Sequence, residues 1–389
     1  MKKLFSDRTE WDLRPNALSL LMHERKKKGL PIFDLTESNP TQCGFEYPQD
    51  KIKNELTRDS IFQYEPSAKG LLPAREAISK YYQTKQITAD PEDIVLTAST
   101  SEAYSFIFKL VTNSGDRILV PQPSYPLFDF LAELNDVELI NYPLIYDSKK
   151  WHLDFNTLRE KVDDKTKAIL IVNPNNPTGS FISREELRQL ICMAREKNIH
   201  LISDEVFHDY RWLQGSHFPS LANISEVMTY TLGGLSKMAG LPQMKLGWIR
   251  VYGPQDLKNE ALGRLEVIAD TYLGVNTPIQ HALPKIFDEA PRIQQQIQKR
   301  LEVNKQYLED KIILSSSYEL LQSEGGWYAV LKVPRIHTDD EWALLMLEKH
   351  GVLLHPGHFY NFKDAGHLVI SLLPTPDVFQ SGILKLLEE

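Results

Sequence analysis

The middle of the chain alternates short apolar runs with segments of helical period. Between Asp93 and Tyr252, runs rich in Ile, Val and Leu predict strands at 94–97, 117–120, 168–172, 200–203, 229–232 and 247–251. Near-continuous apolar strands separated by helices are typical of a mostly parallel sheet whose two faces are both covered. The predicted fold class is therefore α/β.

Helical periodicity fills most of the gaps between these strands. It predicts helices at 16–28, 101–112 and 183–197, and the last of these begins at Ser183 with Glu186 three residues later, the pattern of a capping box. After Leu265 the pattern changes to a long helix at 291–314, followed by hairpin-like and helical pieces. These changes predict a large domain at 46–265 and a smaller α+β domain formed by 1–45 and 266–389.

Composition narrows the classes of function. The 389 residues are 42% hydrophobic and carry a formal net charge of -8, so the chain can bury a large core and its surface should repel nucleic acid and anionic membranes. The basic run at 25–28 is interpreted as the solvated end of the first helix. We therefore expect neither a nucleic-acid nor a membrane partner.

The cysteines and the N-terminus bear on the cellular compartment. Cys43 and Cys192 have no partners at metal-ligand spacing, which predicts neither a disulfide framework nor a metal site. Residues 1–10 carry charge throughout, and no later run approaches membrane-spanning length. A cytoplasmic location fits these observations best.

Polar residues directly follow three of the predicted strands. Asn176 lies in the loop after one strand, Asp204 ends the next, and Lys237 comes just after a third. Because open α/β sheets bind ligands at the carboxyl ends of their strands, we expect these side chains at one site. A lysine there can act as a nucleophile, and a carboxylate there can pair with a cationic ring nitrogen. Each residue alone also fits a plainer role: a turn, a helix cap or buried ion pair, and a solvated lysine.

A fourth polar segment joins a strand to the start of a helix. Ser99, Thr100 and Ser101 supply hydroxyls and free backbone N–H groups, and helix N-termini bind phosphate in this way. Ser236 and Lys245 can add a hydroxyl and a cation to the same anion. The alternative is an ordinary Ser/Thr helix cap.

Taken in order, these segments resemble the class I/II aminotransferases of pyridoxal-phosphate (PLP) fold type I. The resemblance rests on Tyr64 with Gly70, on 99–101, on Pro123-Ser124-Tyr125-Pro126, on 176–179, on Asp204-Glu205 and on Ser236-Lys237. It covers nearly the whole chain. It implies a large domain with a mostly parallel seven-stranded sheet flanked by helices, a smaller α+β domain, pyridoxal 5'-phosphate as cofactor, and a homodimer.

The resemblance also implies a role for each residue. Lys237 is expected to hold PLP as a Schiff base and to move a proton, with Asp204 on the pyridine nitrogen. Asn176 is expected to donate to the ring 3′-oxygen, while Tyr125 stacks on the ring. Tyr64 is expected to reach across the dimer interface to the phosphate of the other subunit. The residues expected to hold the phosphate within one subunit are Ser99, Thr100, Ser101, Ser236 and Lys245.

Three positions depart from the family's pattern. Phe207 stands where the family usually has a tyrosine that donates to the 3′-oxygen, and Lys245 stands where it usually has a phosphate-binding arginine. Val369 aligns with the arginine that usually clamps the substrate's α-carboxylate. Either another group binds the carboxylate or the substrate presents none there. Replacements suggested by chain position are His355, His358, Tyr360 and Arg264.

The predicted function is transamination between an amino acid and a 2-oxo acid, in ping-pong fashion. Other PLP chemistry on the same fold stays open, namely β-elimination, decarboxylation or an oxidase-type reaction, because fold and cofactor do not fix the reaction. A non-catalytic regulator is a further alternative. A dinucleotide-binding dehydrogenase needs a glycine-rich turn after the first strand, and 98–101 is not one. Aromatic residues expected near the mouth of the site, Phe33, Trp327 and Phe359, favour a less polar substrate side chain.

Overall fold

The computed structural model describes residues 4–212, 218–315 and 317–388. Its strands, in chain order, are β1 Phe33–Asp34, β2 Ile94–Thr97, β3 Arg117–Gln122, β4 Glu138–Asp147, β5 Lys150–Leu153, β6 Thr166–Val172, β7 His200–Asp204, β8 Thr229–Gly234, β9 Gly247–Tyr252, β10 Glu319–Leu321, β11 Tyr328–Lys332, β12 Val352–Leu353, β13 His355–Pro356 and β14 His367–Ser371.

The helices cover the sheets and connect their strands. In chain order they are α1 Ala17–Lys27, α2 Gln49–Leu56, α3 Leu72–Thr84, α4 Thr100–Val111, α5 Phe128–Glu133, α6 Phe155–Lys161, α7 Arg184–Lys197, α8 Leu235–Met238, α9 Gln255–Tyr272, α10 Thr277–Ile312, α11 Asp339–Leu345 and α12 Pro376–Leu386. The predicted capping box of α7 is present, with Ser183 and Glu186 each bonded to the other's backbone N–H.

The large sheet is α/β and mostly parallel, as predicted. Among the described residues its strand order is β2-β9-β8-β7-β6-β3-β4-β5. Strands β8, β7, β6, β3 and β4 run parallel, whereas β9 is antiparallel to both of its neighbours and β5 is antiparallel to β4. All six strand segments named from the sequence form strands of this sheet. The parallel register places Val172, Asp204 and Leu232 side by side at one edge.

The hairpin of β4 and β5 makes this sheet one strand wider than expected. Its two-residue turn consists of Ser148 and Lys149, whose φ angles are 46° and 63°. Positive φ at both positions is the geometry that normally selects Asn-Gly or Asp-Gly. Because this turn is Ser-Lys instead, the sequence does not predict a hairpin here.

Helix α10 begins well before the predicted start at 291. It runs from Thr277 to Ile312 and contains Pro284 and Pro291. Each proline removes one helical hydrogen bond, but both lie on the exposed face, where water can bond to the carbonyl that is left. Reading Pro291 as a helix start was therefore wrong.

Two small sheets lie beside the large one. One has the order β10-β11-β14-β13 and the other pairs β1 with β12. Helix α10 packs against both parts of the molecule: Ile279 and Ile286 lie in a core with Trp248 of the large sheet, while Ile293 and Leu301 lie in the core around the small sheets. The helix therefore ties both parts together.

The described chain offers neither a membrane span nor a metal site. Across the ranges given above, no helix has the length and apolarity needed to cross a membrane. Within the same ranges, no group of acidic, cysteine or histidine side chains has the arrangement that could hold a metal ion.

Candidate active site

A cavity of about 190 Å³ lies at the carboxyl ends of three neighbouring parallel strands. Val172, Asp204 and Gly234, which end β6, β7 and β8, all line it, and the first turn of α4 closes one side. This is the edge at which open α/β sheets bind ligands. The full lining is Ser38, Thr100, Ser101, Tyr104, Tyr125, Leu131, Val172, Asn176, Asp204, Val206, Phe207, Gly234, Ser236, Lys237, Leu246 and Tyr328.

Lys237 is the positively charged residue of this lining. It lies in the short helix α8, immediately after β8, and its backbone carbonyl accepts a hydrogen bond of 2.7 Å from the Tyr210 hydroxyl. Burial lowers the pKa of its amine to about 8, although the nearby Asp204 carboxylate opposes this shift. A lysine with such a pKa is partly neutral near pH 7, and a neutral amine can attack a carbonyl carbon.

Aromatic rings surround the Lys237 amine. Its Nζ lies 5.0 Å from the ring centroid of Trp327 and 5.4 Å from that of Phe207. The two rings pack edge to face, and Trp327 also packs against Tyr210. Trp327 is fully buried, so it shields the lysine from water and is not part of the cavity mouth, where the sequence had suggested it.

Asp204 is the buried carboxylate of the site. Its Oδ2 accepts a 2.7 Å hydrogen bond from the Tyr104 hydroxyl, and its Oδ1 accepts a 3.1 Å bond from the Val206 N–H. Burial raises the pKa of Asp204, while these two bonds and the charge of Lys237 work against that rise. The carboxylate thus keeps two donors but faces the cavity, where a cationic N–H group would complete its environment.

Asn176 lies in the loop after β6, where it is nearly fully buried and lines the cavity. Its Oδ1 has no hydrogen-bond partner among the described residues. A buried amide without a partner is costly, so this group is available to a ligand.

Two glycines allow the loop after β6 to pack against the segment that precedes β11 and contains Trp327. A Cβ at Gly179 would come within 2.3 Å of the Gly325 carbonyl oxygen, and a Cβ at Gly325 would come within 2.2 Å of the Tyr210 carbonyl oxygen. The N–H groups of Glu324 and Gly325 both donate to the Gly179 carbonyl. Glycine at 179 and 325 therefore permits the contact that brings Trp327 over Lys237.

The first turn of α4 gives one end of the cavity groups that can bind an anion. Thr100 and Ser101 line it, and the N–H groups at a helix start have no intrahelical acceptor. A Cβ at Gly247 would lie 3.1 Å from the Thr100 nitrogen, so glycine there allows β9 to approach this turn closely. Ser99 caps the helix through its Oγ, which accepts from the Glu102 N–H at 3.1 Å.

These groups fit PLP. The cavity has a helix N-terminus with hydroxyls for a phosphate, a partly neutral amine for an aldehyde, a buried carboxylate for a protonated ring nitrogen, and the Asn176 amide, whose Nδ2–H groups can donate to a ring oxygen. Asn176, Asp204 and Lys237 follow three neighbouring strands whose parallel register brings them together, and α4 follows β2 of the same sheet. The chemistry of this donor set therefore agrees with the cofactor that the sequence suggested.

Most of the residues predicted for the site line the cavity, but three do not. Thr100, Ser101, Tyr125, Asn176, Asp204, Phe207, Ser236 and Lys237 are the ones that line it. Ser99 is held as the helix cap described above. Lys245 is exposed and has a φ of 51°, and Tyr64 is 76% exposed.

Three lining residues with polar groups were missed. Tyr104 lies one helical turn after Thr100 on α4, and this spacing was the signal that could have found it. Ser38 follows β1 and Tyr328 begins β11. Both come from parts of the chain far from the motifs, so only the packing of the small sheets against the large one places them at the cavity.

Comparisons with known proteins agree with this geometry. The family model for aminotransferase class I and II matches residues 32–378. The chain is 30% identical over 368 residues to glutamate-pyruvate aminotransferase AlaA of Haemophilus influenzae, covering 93% of this chain and 91% of that protein. It is 27% identical over 335 residues to tyrosine aminotransferase of Dictyostelium discoideum, covering 83% and 80%.

Solved structures give the same result. An aminotransferase from Escherichia coli superposes with a TM-score of 0.85 at 27% identity, covering 99% of this chain and 97% of that one. Alanine aminotransferase from Pyrococcus furiosus superposes with a TM-score of 0.84 at 26% identity, covering 97% and 100%. The chain belongs to the class I and II aminotransferases.

Proposed function

We propose that this aminotransferase binds PLP in the cavity at the ends of β6, β7 and β8 and moves an amino group between an amino acid and a 2-oxo acid. The observation that carries the proposal is Lys237, whose buried amine has a pKa of about 8 and shares one cavity with Asp204 and the α4 N-terminus. PLP, when bound, supplies an aldehyde for the amino group and a ring that accepts electrons from the substrate's Cα.

The protein's own groups bind, orient and move protons. The neutral Nζ of Lys237 would hold the aldehyde carbon of the cofactor, and the same amine, when free, would carry a proton to and from the substrate's Cα. Asp204 would pair with the protonated ring nitrogen, and the hydrogen bond from Tyr104 holds its carboxylate in place. Asn176 and Tyr125 line the same cavity, where Asn176 would donate to the ring oxygen and Tyr125 would pack on the ring.

The phosphate end uses both helix and side chains. Thr100 and Ser101 donate from the start of α4, and Ser236 adds a hydroxyl from the cavity wall. Ser99 supports them by fixing the first turn of that helix. Lys245 is exposed and precedes the lining residue Leu246, so it would supply positive charge from outside the lining, without the paired geometry of an arginine.

The experiment that tests the proposal follows the absorbance of the PLP-loaded protein while single L-amino acids are added without any 2-oxo acid. Bleaching of the cofactor band by some amino acids, reversed by a 2-oxo acid, supports amino transfer and ranks the donors. Release of ammonia, carbon dioxide or peroxide with an unchanged band supports another PLP reaction instead. Borohydride treatment and peptide mapping of the same sample test Lys237, and absence of any cofactor band contradicts the proposal.

Phe207 leads to a first prediction, on the pH dependence of the cofactor. The Phe207→Tyr protein gains a hydroxyl in the cavity lining, where it can donate to the ring oxygen. A donor to the deprotonated form favours that form, so the pH at which the bound cofactor changes its absorbance should fall by about one unit. A spectrophotometric pH titration measures it. Phe362→Tyr, outside the cavity, is the control, and equal titrations for Phe207→Tyr and the parent protein contradict the assignment.

We propose a homodimer from the exposed segment that contains Tyr64. Tyr64 and its neighbour Phe62 are 76% and 86% exposed, and large exposed apolar side chains in one segment are typical of an interaction surface. Tyr64 can then reach the phosphate end of the partner's cavity. We expect sedimentation velocity to give a dimer and Tyr64→Ala to weaken PLP retention, and a monomeric parent protein would contradict both.

Organisation and location complete the proposal. We infer domain boundaries at 46–265 for the PLP-binding part and at 1–45 with 266–389 for the smaller part, which limited proteolysis can test by the positions of its first cuts. A cytoplasmic enzyme is consistent with two cysteines that form no disulfide. Cell fractionation tests the location, and recovery from a membrane or secreted fraction would contradict it.

A further inference from the structure

Position 369 offers no group to a carboxylate. Val369 is fully buried in the middle of β14, where it pairs with Val330 on one side and with His355 on the other. A planar guanidinium binds a carboxylate through two parallel hydrogen bonds, and valine has no such group. A 2-oxo acid or amino acid must therefore be held by other residues.

The described lining also lacks a second cation. Lys237 is its only basic residue, and that amine is engaged in the reaction itself. Arg264 lies on α9 in an exposed ion pair with Glu260 and lines a different cavity. His358 is exposed, and its ring lies 3.4 Å from the Asp340 carboxylate. Neither Arg264 nor His358 lines the site.

The face of the small sheet that carries Val369 nevertheless looks onto the cavity. Paired residues on antiparallel strands project from the same face, which places Tyr328, Val369 and His355 together. Tyr328 and Ser38 both line the cavity, and the Ser38 hydroxyl opposes the rise that burial causes in the pKa of the Tyr328 phenol. Both hydroxyls come from segments of the small sheets, whereas the α4 N-terminus follows a strand of the large sheet.

Tyr360 packs against Tyr328 beside this lining, although it is not itself part of the lining. Its ring centroid lies 6.1 Å from that of Tyr328, and its carbonyl accepts a 2.9 Å bond from the Ser124 N–H next to Tyr125. The Tyr360 hydroxyl lies 3.2 Å from Nδ1 of His355. The histidine is thus placed behind the phenol and can fix the direction of its O–H bond.

The protonation of these groups supports a donor role. Burial raises the pKa of both Tyr328 and Tyr360, so their phenols keep their protons at neutral pH. Burial lowers the pKa of His355, and the carboxylate of Asp34 on β1 opposes that shift. A neutral imidazole that carries its proton on Nδ1 can donate to the Tyr360 hydroxyl oxygen, which leaves the single O–H of the phenol free for a carboxylate.

We propose that uncharged hydroxyls hold the substrate's carboxylate in this enzyme: Ser38 and Tyr328 from the cavity lining and Tyr360 from beside it form the subsite, and His355 acts as a positioning residue that donates to the Tyr360 hydroxyl oxygen. The proposal rests on the function proposed above. Because neutral donors bind a carboxylate less strongly than a paired arginine does, each hydroxyl carries a large share of the recognition. Removing one donor should weaken the carboxylate's binding by about 10- to 100-fold.

The test compares substrates that differ only in the carboxylate. The holoenzyme is assayed in single turnover with L-phenylalanine against 2-phenylethylamine and with L-alanine against ethylamine. For Tyr328→Phe and Tyr360→Phe, the preference for the amino acid over the amine, as a ratio of kcat/KM, should fall about 10- to 100-fold through KM. Ser38→Ala should change it in the same direction. His358→Asn, on the exposed side of the same segment, should change neither activity nor preference.

His355 is tested through its coupling to Tyr360. His355→Ala should lower the same preference, but it should add little to Tyr360→Phe in the double variant, since both remove one hydrogen-bonded unit. His355→Gln, whose amide N–H can still donate to the phenol oxygen, should restore most of the preference. Full additivity of the two changes would show that His355 does not act through Tyr360.

A binding measurement separates this proposal from the proposed function. Titration calorimetry of the PLP-loaded protein with 3-phenylpropanoate and propanoate, against their amides, needs no amino transfer. Weaker binding of the carboxylates, but not of the amides, in folded Tyr328→Phe and Tyr360→Phe supports the subsite even if no amino acid is a donor. Unchanged carboxylate binding in both variants, or no preference of the parent protein for carboxylate over amide, overturns the subsite.

Discussion

Replacing Lys237 by alanine should abolish amino transfer while the protein stays folded and still takes up PLP. Loss of both the nucleophile and the proton carrier should lower the rate by a factor of about 10⁴ or more. The fold should tolerate the change because it removes a buried amine whose pKa is already lowered by desolvation. Single-turnover absorbance with the best amino donor measures the loss, and thermal unfolding confirms that the variant is folded.

The control for this prediction is Lys26→Ala, which removes an exposed lysine from α1. It should keep full activity. Borohydride should fix the cofactor to the parent protein and to Lys26→Ala, at the peptide that contains Lys237, and it should fix none to Lys237→Ala. Activity of Lys237→Ala within about tenfold of the parent, or a fixed cofactor at another lysine, would remove Lys237 from its proposed role.

The same lysine predicts a pH dependence for cofactor capture. Only the neutral amine attacks the aldehyde, and the pKa of about 8 means that half of the lysines are neutral at that pH. Capture of PLP by the cofactor-free protein should therefore rise with pH and level off above about pH 8, well below the ordinary lysine value of roughly 10.4. Stopped-flow absorbance measures this rate, and a midpoint near the ordinary value would show that burial does not tune the amine.

How far the sequence predicts this fold depends on the kind of element. The apolar strands β2, β3, β6, β7, β8 and β9 are buried from both faces, so their composition alone marks them. Strand β4 is only half buried and its turn lacks glycine, so it carries neither signal. Helix α10 was predicted too short because a proline usually marks the start of a helix. Pro291 lies on the exposed face, where the helix tolerates it. Sequence patterns therefore failed for elements that are buried on only one face, because the pattern does not show which face that is.

The site residues likewise fall into those that the sequence predicts and those that it does not. Lys237, Asp204 and Asn176 each follow a strand that can be recognised, and parallel pairing requires their strand ends to meet, so their proximity could be argued from sequence. Tyr328 and Trp327 come from β11 and the residue before it, in a different sheet. Their positions depend on the backbone contact between Gly179 and Gly325, and no pattern in the sequence predicts that contact. The residues proposed to bind substrate are therefore harder to predict than those proposed to hold the cofactor.

The second large effect is expected at Asp204. The Asp204→Asn protein keeps the size of the side chain and can still bond to the Tyr104 hydroxyl, but it loses the charge that holds a proton on the ring nitrogen. Without that proton the ring accepts electrons poorly, so kcat should fall by about 10²- to 10⁴-fold with little change in fold. Single-turnover kinetics measures kcat, and a fall of less than about threefold would contradict the role.

The neighbouring carboxylate of Glu205 provides the control for the Asp204→Asn prediction. Glu205 is also buried, but it accepts hydrogen bonds from Ser203, Ser220 and the Leu221 N–H and does not line the cavity. Its charge therefore serves the fold rather than the site. Glu205→Gln should lower the melting temperature and leave kcat nearly unchanged.

Tyr104→Phe tests the support of the carboxylate. Burial already raises the pKa of Asp204, and the Tyr104 bond works against that rise, so its removal should raise the pKa further. Asp204 is active only when ionised; the acid side of the kcat/KM profile should therefore move to higher pH, with a loss of about tenfold at pH 7 that shrinks as the pH rises. A profile that moves to lower pH, or a loss that is equal at every pH, would mean that Tyr104 does not act through the ionisation of Asp204.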